Sequence, residues 1–600
     1  MVDFARSRKN ALIHVNETES AEKLSEKALH RLHSIEKTEP SLSRYVEVWA
    51  VSTEVWSVDN LVPITLYVGL PGEFPLKLPK IYLAKADRER LSYLQHVDDD
   101  GQVCVFDVDA VHVDWRRPGG IVLECIIKAK RTLEQGLRGE NLADFEEEFS
   151  AYWAQRYDKQ DKVRTELSML DRNTLPLGPF VKLVSLYPAY EQYRFLLHSD
   201  SEEFERVRKY LSGQGCQFKD GTALFLGVCS SSLPFYETNA SALEFVKREF
   251  PEMMEEFRRY VSKGNNSMII LFARAVQGKY IFYGWQLGPF NLSRQGFRKS
   301  ELKPWNAFTS SILEARKPVT RISFDTFTNE RLTMRTQGTD QPDRPRRIVM
   351  IGLGSIGSNL LQYFTATEIS RLDLVDPDIL AIENIHRHLL GMSYINGYKV
   401  KALEAYLKSA NPLLDVVPHH ISVIPFIKDH GNVLREADMV VVCVGNTNLE
   451  EYILSKMGEV GCENPIIVLW VEPFLVGAHC LYMHPGRHYD FGGLFDQGLF
   501  RFNVIAASEY RDPQKTLRLK EGGCQSSYVP YGRLSISRFL ATLAPHIFDL
   551  LENLTDRDCV FSFKGSEAAI RQSNLELSEF GQGIRLNCIQ ITELNDDPNR

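Results

Sequence analysis

A glycine-rich turn in the C-terminal half of the chain is the feature that most limits its fold. The apolar run Ile348–Ile351 leads into a G-x-G-x-x-G pattern at 352–357, and helical periodicity follows. Glycines at this spacing permit a tight strand-to-helix turn and let phosphate oxygens approach backbone N–H groups at a helix N-terminus. Further apolar runs alternate with helical segments, at 372–375, 439–444 and 466–471. This alternation predicts a parallel, doubly wound sheet that binds a nucleotide.

The length and composition of the chain indicate an ordinary multidomain protein. At about 150 residues per domain, 600 residues predict three or four domains. A net charge of -8 gives no reason to expect a nucleic-acid partner. We expect no membrane span and no signal peptide, because no run approaches roughly 18 apolar residues and the N-terminus lacks an apolar core. Ten cysteines without a C-x-x-C pair predict free thiols and therefore a cytoplasmic location.

The N-terminal segment, residues 1–155, predicts an α+β domain. Helical spacing at 19–35 is followed by three β-rich runs, an irregular loop at 96–114 and a second helical stretch at 120–137. The β-rich runs are Tyr45–Val55, Ile64–Leu70 and Lys80–Ala84.

Residues 160–335 predict a middle α/β linker domain. Apparent strands are mixed there with a charged helix around 241–262, and the residue types suggest no catalytic constellation. Connection and recognition are therefore the expected roles. The segment Arg335–Arg347, with glycine and prolines among charges, predicts a linker to a C-terminal domain at 340–600.

Polar residues after the second strand of the predicted sheet separate two nucleotide chemistries. Asp376 ends that strand, at the distance from the glycines where a carboxylate meets ribose hydroxyls. Up to this point a dehydrogenase and an adenylating enzyme share the pattern. Asn384-Ile385-His386-Arg387 and Lys399 then follow. A dehydrogenase leaves its pyrophosphate intact, whereas an adenylating enzyme needs fixed cations while a carboxylate attacks the α-phosphorus.

The ordered set G-x-G-x-x-G, D-x-D, N-x-x-R, K and N-P across 348–412 resembles the ThiF/MoeB/ubiquitin-activating superfamily. The resemblance implies a Rossmann-like ThiF adenylation domain that uses ATP and Mg²⁺, with Asp376 on the ribose and the later three residues on the phosphates. Two features depart from the family, since Gly445 stands where a magnesium-assisting aspartate is expected and the C-x-x-C zinc knuckle is missing. The metal ligands are therefore left open. The implied nucleotide-binding residues are Gly352, Gly354, Gly357, Asp376, Asn384, Arg387 and Lys399.

Cys524 is the candidate for the thiol that captures an activated acyl group. Glycines precede it, polar residues follow it and Lys520 is close in sequence, which predicts an exposed loop that favours a thiolate. Cys443 and Cys480 lie instead in apolar strand-like runs, where cysteines are inert. The position of Cys524 after the ATP motifs resembles that of the crossover-loop cysteine of activating enzymes.

Cys104 is the candidate for a second thiol. The N-terminal segment has an F-P-x-x-x-P turn at 74–79, then His96, Gly101-Gln102-Val103-Cys104, Trp115 and a closing helix. This order resembles a ubiquitin-conjugating domain and implies thioester transfer through Cys104. Conjugating enzymes have His-Pro-Asn before the cysteine, whereas Val97 and Asp98 follow His96 here, so the chemistry of final amide formation is not implied.

A conjugating domain ahead of an activating domain resembles the bacterial fusion proteins of CBASS anti-phage operons. That family acts as ligase on the C-terminus of a cGAS-like nucleotidyltransferase (CD-NTase). The implied cycle is adenylation, a thioester on Cys524, transfer to Cys104 and attack by an acceptor protein or small nucleophile. Related activating domains dimerise, so we expect a homodimer.

Three alternatives stay open from the sequence. The same chemistry would serve a ubiquitin-like protein encoded by a neighbouring gene. An NAD-dependent Rossmann oxidoreductase would share the glycine pattern. A scaffold whose nucleotide site only regulates binding would need neither cysteine.

Overall fold

The protein is described here from a computed structural model. Two compact units divide the chain, one formed by 1–199 with 217–326 and the other by 200–216 with 327–600. The structure describes residues 33–34, 42–91, 94, 96–98, 100–106, 111, 113–140, 149–150, 153, 162–229, 238–263, 268–290, 304–310, 312–337, 346–365, 369–484, 491–515, 517, 519–520, 527–553 and 557–594.

The first unit begins with a 5-stranded antiparallel sheet in the order β1-β2-β3-β4-β5. Alternation of buried and partly exposed residues along β2 and β3 turns one face of this sheet towards a helix. The predicted helix at 19–35 lies outside the described residues except at its end, where that prediction is wrong because 33–34 form a strand paired with β2. The strands are β1 His33–Ser34, β2 Glu47–Trp56, β3 Leu61–Leu70, β4 Lys80–Leu83 and β5 Gln102–Val103.

A long helix covers this sheet. Helix α2, Pro118–Arg138, begins with proline in its first turn, where no intrahelical N–H is lost, and Gly139 ends it in the left-handed conformation (φ 68°). Its buried side includes Cys125, Ile126 and Leu133, which pack against the sheet residues of the same core. The short helix α1, Lys85–Leu91, precedes it.

The middle segment of the first unit forms a closed barrel in the strand order β10-β11-β12-β6-β8-β7-β9. The sequence did not predict this closure, because the pairing of β6 with β12 is parallel and joins residues 162–168 to 320–326. Phe149 and Trp153 pack in the same core as the barrel strands, and the Trp153 indole donates to the Ile322 carbonyl at 2.9 Å. The strands are β6 Lys162–Ser168, β7 Phe180–Tyr190, β8 Tyr193–His198, β9 Gln217–Val228, β10 Met268–Val276, β11 Lys279–Leu287 and β12 Thr320–Thr326.

Several helices connect these strands. Helix α3 follows β8 in sequence but belongs to the second compact unit, where the Arg206 Nε donates to the Leu413 carbonyl at 2.9 Å. The residue limits of the three domains expected from the sequence stay a prediction. The helices are α3 Glu202–Gly213, α4 Asn239–Glu249, α5 Met254–Lys263, α6 Pro304–Ser310, α7 Ile312–Ala315 and α8 Asn329–Gln337.

The second unit contains an 8-stranded sheet in the order β15-β14-β13-β16-β17-β18-β23-β24. The first five strands are parallel and the last three antiparallel. The mixed α/β multidomain class with a doubly wound C-terminal sheet is therefore confirmed. The strands are β13 Arg346–Ile351, β14 Ile369–Val375, β15 Asp415–His419, β16 Met439–Val442, β17 Ile466–Val471, β18 Gly477–Met483, β19 Phe495–Asp496, β20 Leu499–Phe500, β21 Leu519–Lys520, β22 Ser527–Tyr528, β23 Cys559–Lys564 and β24 Ile589–Glu593.

Helices cover both faces of the C-terminal sheet. Helix α15 is long and apolar enough by length and composition to cross a membrane, so the expectation that no run approaches a span is wrong for it on those two criteria. Of its 18-residue window 44% is buried, and Ile536, Phe539, Leu540 and Leu543 pack in the core of the sheet. The helices are α9 Ser355–Phe364, α10 Lys399–Ala410, α11 Val423–Asp429, α12 Gly431–Glu436, α13 Thr447–Met457, α14 Ala507–Arg511, α15 Arg533–Glu552, α16 Glu567–Ser573 and α17 Glu579–Gly583.

Candidate nucleotide site and cysteine hairpin

The glycine turn lies between β13 and α9, where the strand order changes direction between β13 and β16. Gly352 has a φ of 88°, and a Cβ there would lie 2.7 Å from the Cys443 carbonyl oxygen. A Cβ on Gly357 would collide with the Gly352 carbonyl oxygen, whereas a Cβ on Gly354 would meet nothing. Two of the three predicted glycines are thus required by the packing of the turn itself. The switch point of a doubly wound sheet is where nucleotides bind.

Asp376 is buried directly beneath this turn. Its Oδ2 accepts from the Leu353 N–H at 2.7 Å, and its Oδ1 accepts from the Asp378 N–H at 2.8 Å. Burial raises the pKa of the Asp376 carboxyl, although the nearby Lys399 ammonium and these two N–H groups act in the opposite direction. The carboxylate therefore fixes the shape of the glycine turn.

Lys399 is the first residue of α10 and is buried. Its Nζ lies 2.8 Å from Asp378 Oδ2 and 3.8 Å from Asp376 Oδ1. The structure thus brings the predicted lysine next to both aspartates of the D-x-D pair. Lys399 follows Asp376 by 23 residues and Asp378 by 21 residues in the sequence. An ammonium held between two carboxylates has a defined position from which it can also meet a phosphate.

Asn384 and Arg387 occupy a short helical turn after the second strand. The Asn384 Oδ1 accepts from the Ala381 N–H at 3.0 Å, so in this state the side chain caps its own turn. The Arg387 guanidinium is partly exposed and has no hydrogen-bond or ion-pair partner among the residues that the structure describes. It is the cation of this site that is available for an anionic ligand.

Three buried polar residues that sequence reasoning missed connect this turn to the glycine turn. His388 is placed between the Leu353 carbonyl and the Leu390 N–H, each 3.0 Å from a ring nitrogen. The Ser358 hydroxyl accepts from the Leu389 N–H at 3.2 Å, and the Asn359 amide donates to the Arg387 carbonyl at 2.8 Å. The adjacent polar residues Ser358 and Asn359 in a largely buried helix were a sequence signal for two of them, and His388 had none.

Gly445 lies after β16 with a φ of 67°, and a Cβ there would meet no atom. Its N–H donates at 2.9 Å to Oε1 of Glu450, which is buried in the first turn of α13. Burial raises the pKa of Glu450 to about 7, against the effect of its backbone hydrogen bonds. A carboxyl group is thus present close to the position where the resembled family has an aspartate.

The cysteines of the second unit differ sharply in exposure. Burial raises the pKa of Cys443 and Cys480, as expected for inert thiols in the sheet, and raises that of Cys559 to about 11. Cys588 is exposed. Cys524, the predicted first acceptor, lies outside the described residues.

The chain on either side of Cys524 is attached to the C-terminal sheet or to the helix that follows the glycine turn. Upstream, the Glu472 carboxylate accepts from the Val504 and Ile505 N–H groups at 2.7 and 2.9 Å and from the Tyr510 hydroxyl at 2.9 Å. Downstream, the Tyr531 and Ser355 hydroxyls are 2.7 Å apart. The downstream attachment ends on the first residue of the helix that follows the glycine turn.

The predicted second cysteine lies at the end of a tight hairpin in the first unit. The Cys104 N–H donates to the His96 carbonyl at 2.8 Å, and Val97 pairs with Val103 as an isolated bridge. His96 has a φ of 58° and Gly101 a φ of 87°, so the hairpin uses the left-handed region twice. Cys104 is exposed at the surface of this hairpin.

A buried polar cluster supports this hairpin from the sheet. The Tyr82 hydroxyl is fully buried, donates to Gln102 Oε1 at 3.3 Å and lies 2.7 Å from the Tyr45 hydroxyl. The Arg44 guanidinium bonds the same phenol and lies 3.6 Å from Asp100 Oδ2. A groove lined by Leu78–Ile81 and Gln102–Phe106 runs beside the cysteine.

The residues present fit ATP better than they define a metal site. The turn is open at Gly354, where a Cβ would meet no protein atom, and the Arg387 side chain is available for phosphate. Within the described part of the chain, no group of three or more histidine, cysteine or acidic residues is placed to hold a metal ion. Magnesium commonly uses one or two carboxylates with substrate phosphates, and the exposed carboxylate of Asp378 would fit that demand.

Comparison with known proteins finds a matching family model towards each end of the chain. Residues 24–162 match the model of prokaryotic E2 family B, and residues 334–462 match the ThiF family. The chain is 24% identical over 504 residues to the ATP-dependent ubiquitin transferase-like protein Cap2 of Pseudomonas aeruginosa, covering 79% of this chain and 83% of that protein.

Other similarities cover smaller shares of the chain. The adenylyltransferase and sulfurtransferase MOCS3 of Xenopus laevis is 29% identical over 100 residues, only 16% of this chain and 22% of that protein. The solved structure of the microcin C7 biosynthetic enzyme MccB with N-formylated MccA covers 42% of this chain and 64% of its own, with 14% identity and a TM-score of 0.26. A score that low gives no functional information.

Proposed function

Because the chain joins a prokaryotic E2 family B domain to a ThiF-family domain, we propose that it is an ATP-dependent, ubiquitin-transferase-like ligase. It activates a protein C-terminus by adenylation, carries it as a thioester on Cys524 and then Cys104, and conjugates it to a nucleophile. The observation that carries the proposal is the convergence of the glycine turn, Asp376, Arg387 and Lys399 at the switch point of one sheet.

The adenylation step follows from the charges around the glycine turn. A carboxylate oxygen of the substrate tail attacks the α-phosphorus of ATP, and the bond to the bridging oxygen breaks to release pyrophosphate. The N–H groups at the start of α9 face the phosphates, and Arg387 and Lys399 offset the charge that builds on them. Asp376 shapes the turn and supplies an acceptor for the ribose.

The first thioester step needs a thiol within reach of the adenylate. Cys524 precedes Tyr531 by seven residues, and seven extended residues span at most about 25 Å. The cysteine is therefore tethered within that radius of Tyr531, whose hydroxyl bonds Ser355 at the phosphate end of α9. Its sulfur attacks the acyl carbon and AMP leaves.

The second thioester step uses the exposed Cys104. Its thiolate attacks the thioester carbon, and the thiol of Cys524 is released. Holding both cysteines in one chain raises the effective concentration of the acceptor. An amine then attacks the thioester on Cys104, which forms an amide and returns the thiol.

The finer assignments rest on the resemblance of the domain order to the fusion proteins of CBASS operons. We propose the C-terminus of a cGAS-like CD-NTase as the activated tail, a protein or small amine as acceptor, Mg²⁺ as the counterion of ATP, a homodimer in the cytoplasm, and a role in anti-phage defence. A ubiquitin-like protein as the tail donor is the second candidate, and it requires the same residues.

The test is non-reducing electrophoresis of the protein with ATP, Mg²⁺ and each candidate partner, alongside ATP–pyrophosphate exchange. We expect a thiol-sensitive adduct with one partner, no adduct in Cys524→Ala, and an adduct that is not passed on in Cys104→Ala. Cys588→Ala is the matched control, because it removes an exposed cysteine outside the relay. Absence of exchange with every offered tail, or reduction of NAD by the protein, would contradict the proposal.

A further inference from the structure

The backbone that carries Arg387 is fixed by side chains that have no assigned role. Asn359, one turn into α9, is fully buried, and its Nδ2 donates both to the Ser355 carbonyl at 2.6 Å and to the Arg387 carbonyl at 2.8 Å. Reversing the amide would place its oxygen against two carbonyl oxygens, so its orientation is determined. The Asn359 Oδ1 has no partner within the described residues.

A buried amide oxygen without a hydrogen-bond donor lowers the free energy of unfolding, a cost that an alanine at this position would not have. The two bonds made by Nδ2 must offset that cost. One of them stays within α9, but the other reaches across to the short helical turn that contains Asn384 and Arg387, called the arginine turn below. Asn359 therefore links the helix that begins at the phosphates to the residue whose guanidinium is available for them.

His388 makes the second link, between the glycine turn and the arginine turn. The Leu390 N–H donates to its Nδ1, so the proton is on Nε2, which donates to the Leu353 carbonyl. This tautomer requires a neutral ring, and burial lowers the pKa of His388 to about 4. The N–H of the same residue, Leu353, donates to Asp376. The glycine turn therefore bonds both the proposed ribose acceptor and the arginine turn.

Ser358 completes the set, because its buried hydroxyl accepts from the Leu389 N–H at 3.2 Å. The Arg387 carbonyl and the two residues that follow it are thus held by α9 or by the glycine turn. Hydrogen bonds on the Arg387 side chain itself are absent within the described residues. The backbone is fixed and the guanidinium is left available, which is the arrangement expected of a preorganised phosphate contact.

We propose that Asn359, His388 and Ser358 are positioning residues that set Arg387 against the β- and γ-phosphates of ATP. The proposal rests on the proposed function of this site and adds three residues to it. Their loss weakens contact with the triphosphate and spares contact with the nucleoside.

The test compares the affinity of the full chain for MgATP with its affinity for adenosine, both measured by displacement of a fluorescent ATP analogue. A hydrogen bond of ordinary strength corresponds to about fivefold in affinity. We expect Asn359→Ala and His388→Ala to weaken MgATP binding about fivefold or more, with adenosine changed by less than twofold. His388→Gln keeps one acceptor and one donor, and it is expected to recover most of the loss.

Ser562→Ala is the matched control, because it removes a buried hydrogen bond to His479 elsewhere in the same sheet. It is expected to leave the ratio of the two affinities unchanged. Equal weakening of MgATP and adenosine in Asn359→Ala and His388→Ala, or no change in either ligand, would overturn the proposal. If the unaltered chain binds MgATP but shows no pyrophosphate exchange, the proposed function is refuted. The comparison of MgATP with adenosine still tests the roles of the three positioning residues in that case.

Discussion

Glu450 is predicted to make the stability of the second unit depend on pH. Its carboxyl is buried in the first turn of α13, and burial raises its pKa from 4.5 to about 7. Between these values the folded chain keeps a proton that the unfolded chain has lost, so stability falls as the pH rises through this range. The raised pKa lowers the free energy of unfolding by about 3 kcal/mol at pH 8 and by about 1 kcal/mol at pH 5.

Glu450→Gln removes this dependence and keeps the contact to Gly445. The glutamine oxygen still accepts from the Gly445 N–H, which is 2.9 Å from Glu450 Oε1. We expect the variant to be more stable than the unaltered chain by up to about 3 kcal/mol at pH 8 and by about 1 kcal/mol at pH 5. At about 2 °C per kcal/mol for a unit of this size, the gain in Tm differs between the two pH values by roughly 5 °C.

Thermal unfolding followed by circular dichroism at pH 5 and pH 8 measures this difference. Glu451→Gln is the control, since that side chain is the exposed neighbour on the same helix and changes charge equally. An equal gain at both pH values, or a loss of stability at pH 8, would show that the Glu450 carboxyl is not held in its neutral form by burial.

Three further substitutions test separate steps. Lys399→Ala should lower ATP–pyrophosphate exchange by about a hundredfold or more, because a buried charged partner of the phosphates is lost, and exchange kinetics check this. Tyr82→Phe removes the hydroxyl that bonds Gln102, and it should slow transfer to Cys104 by up to about tenfold in a single-turnover gel assay while exchange stays unchanged. Tyr531→Phe breaks the contact with Ser355 and should slow the first thioester by a similar factor, again without effect on exchange.

The nucleotide-binding strand, turn and helix could be predicted because their signal is local. Gly352 and Gly357 are needed within one turn, and Asp376 follows the next strand at a fixed distance. His388 and Asn359 could not be predicted, because their partners become neighbours only when β13, α9 and the arginine turn pack together.

Two other parts of the fold could not be predicted from the sequence, for related reasons. Strand β15, Asp415–His419, contains proline and histidine in place of the continuous apolar run that marks a buried parallel strand. The barrel needs parallel pairing between β6 and β12, whose residues are more than 150 positions apart, and no local pattern carries that information. Cys104, by contrast, was found from a local motif, although its exposed position on the hairpin is seen only in the structure.

The attachments around Cys524 imply that the two compact units would carry out different steps of the proposed relay. Glu472 holds the chain before this cysteine, and Ser355 holds the chain after it, so the proposed first acceptor is attached to the C-terminal sheet at both ends. In the proposed relay, adenylation and the first thioester therefore belong to one folded unit. The hairpin of Cys104 has its own support in the other unit, through Tyr82. Damage to that support should then stop the relay only at its second thioester, whereas damage to the Asp376 turn should stop it before either cysteine is loaded.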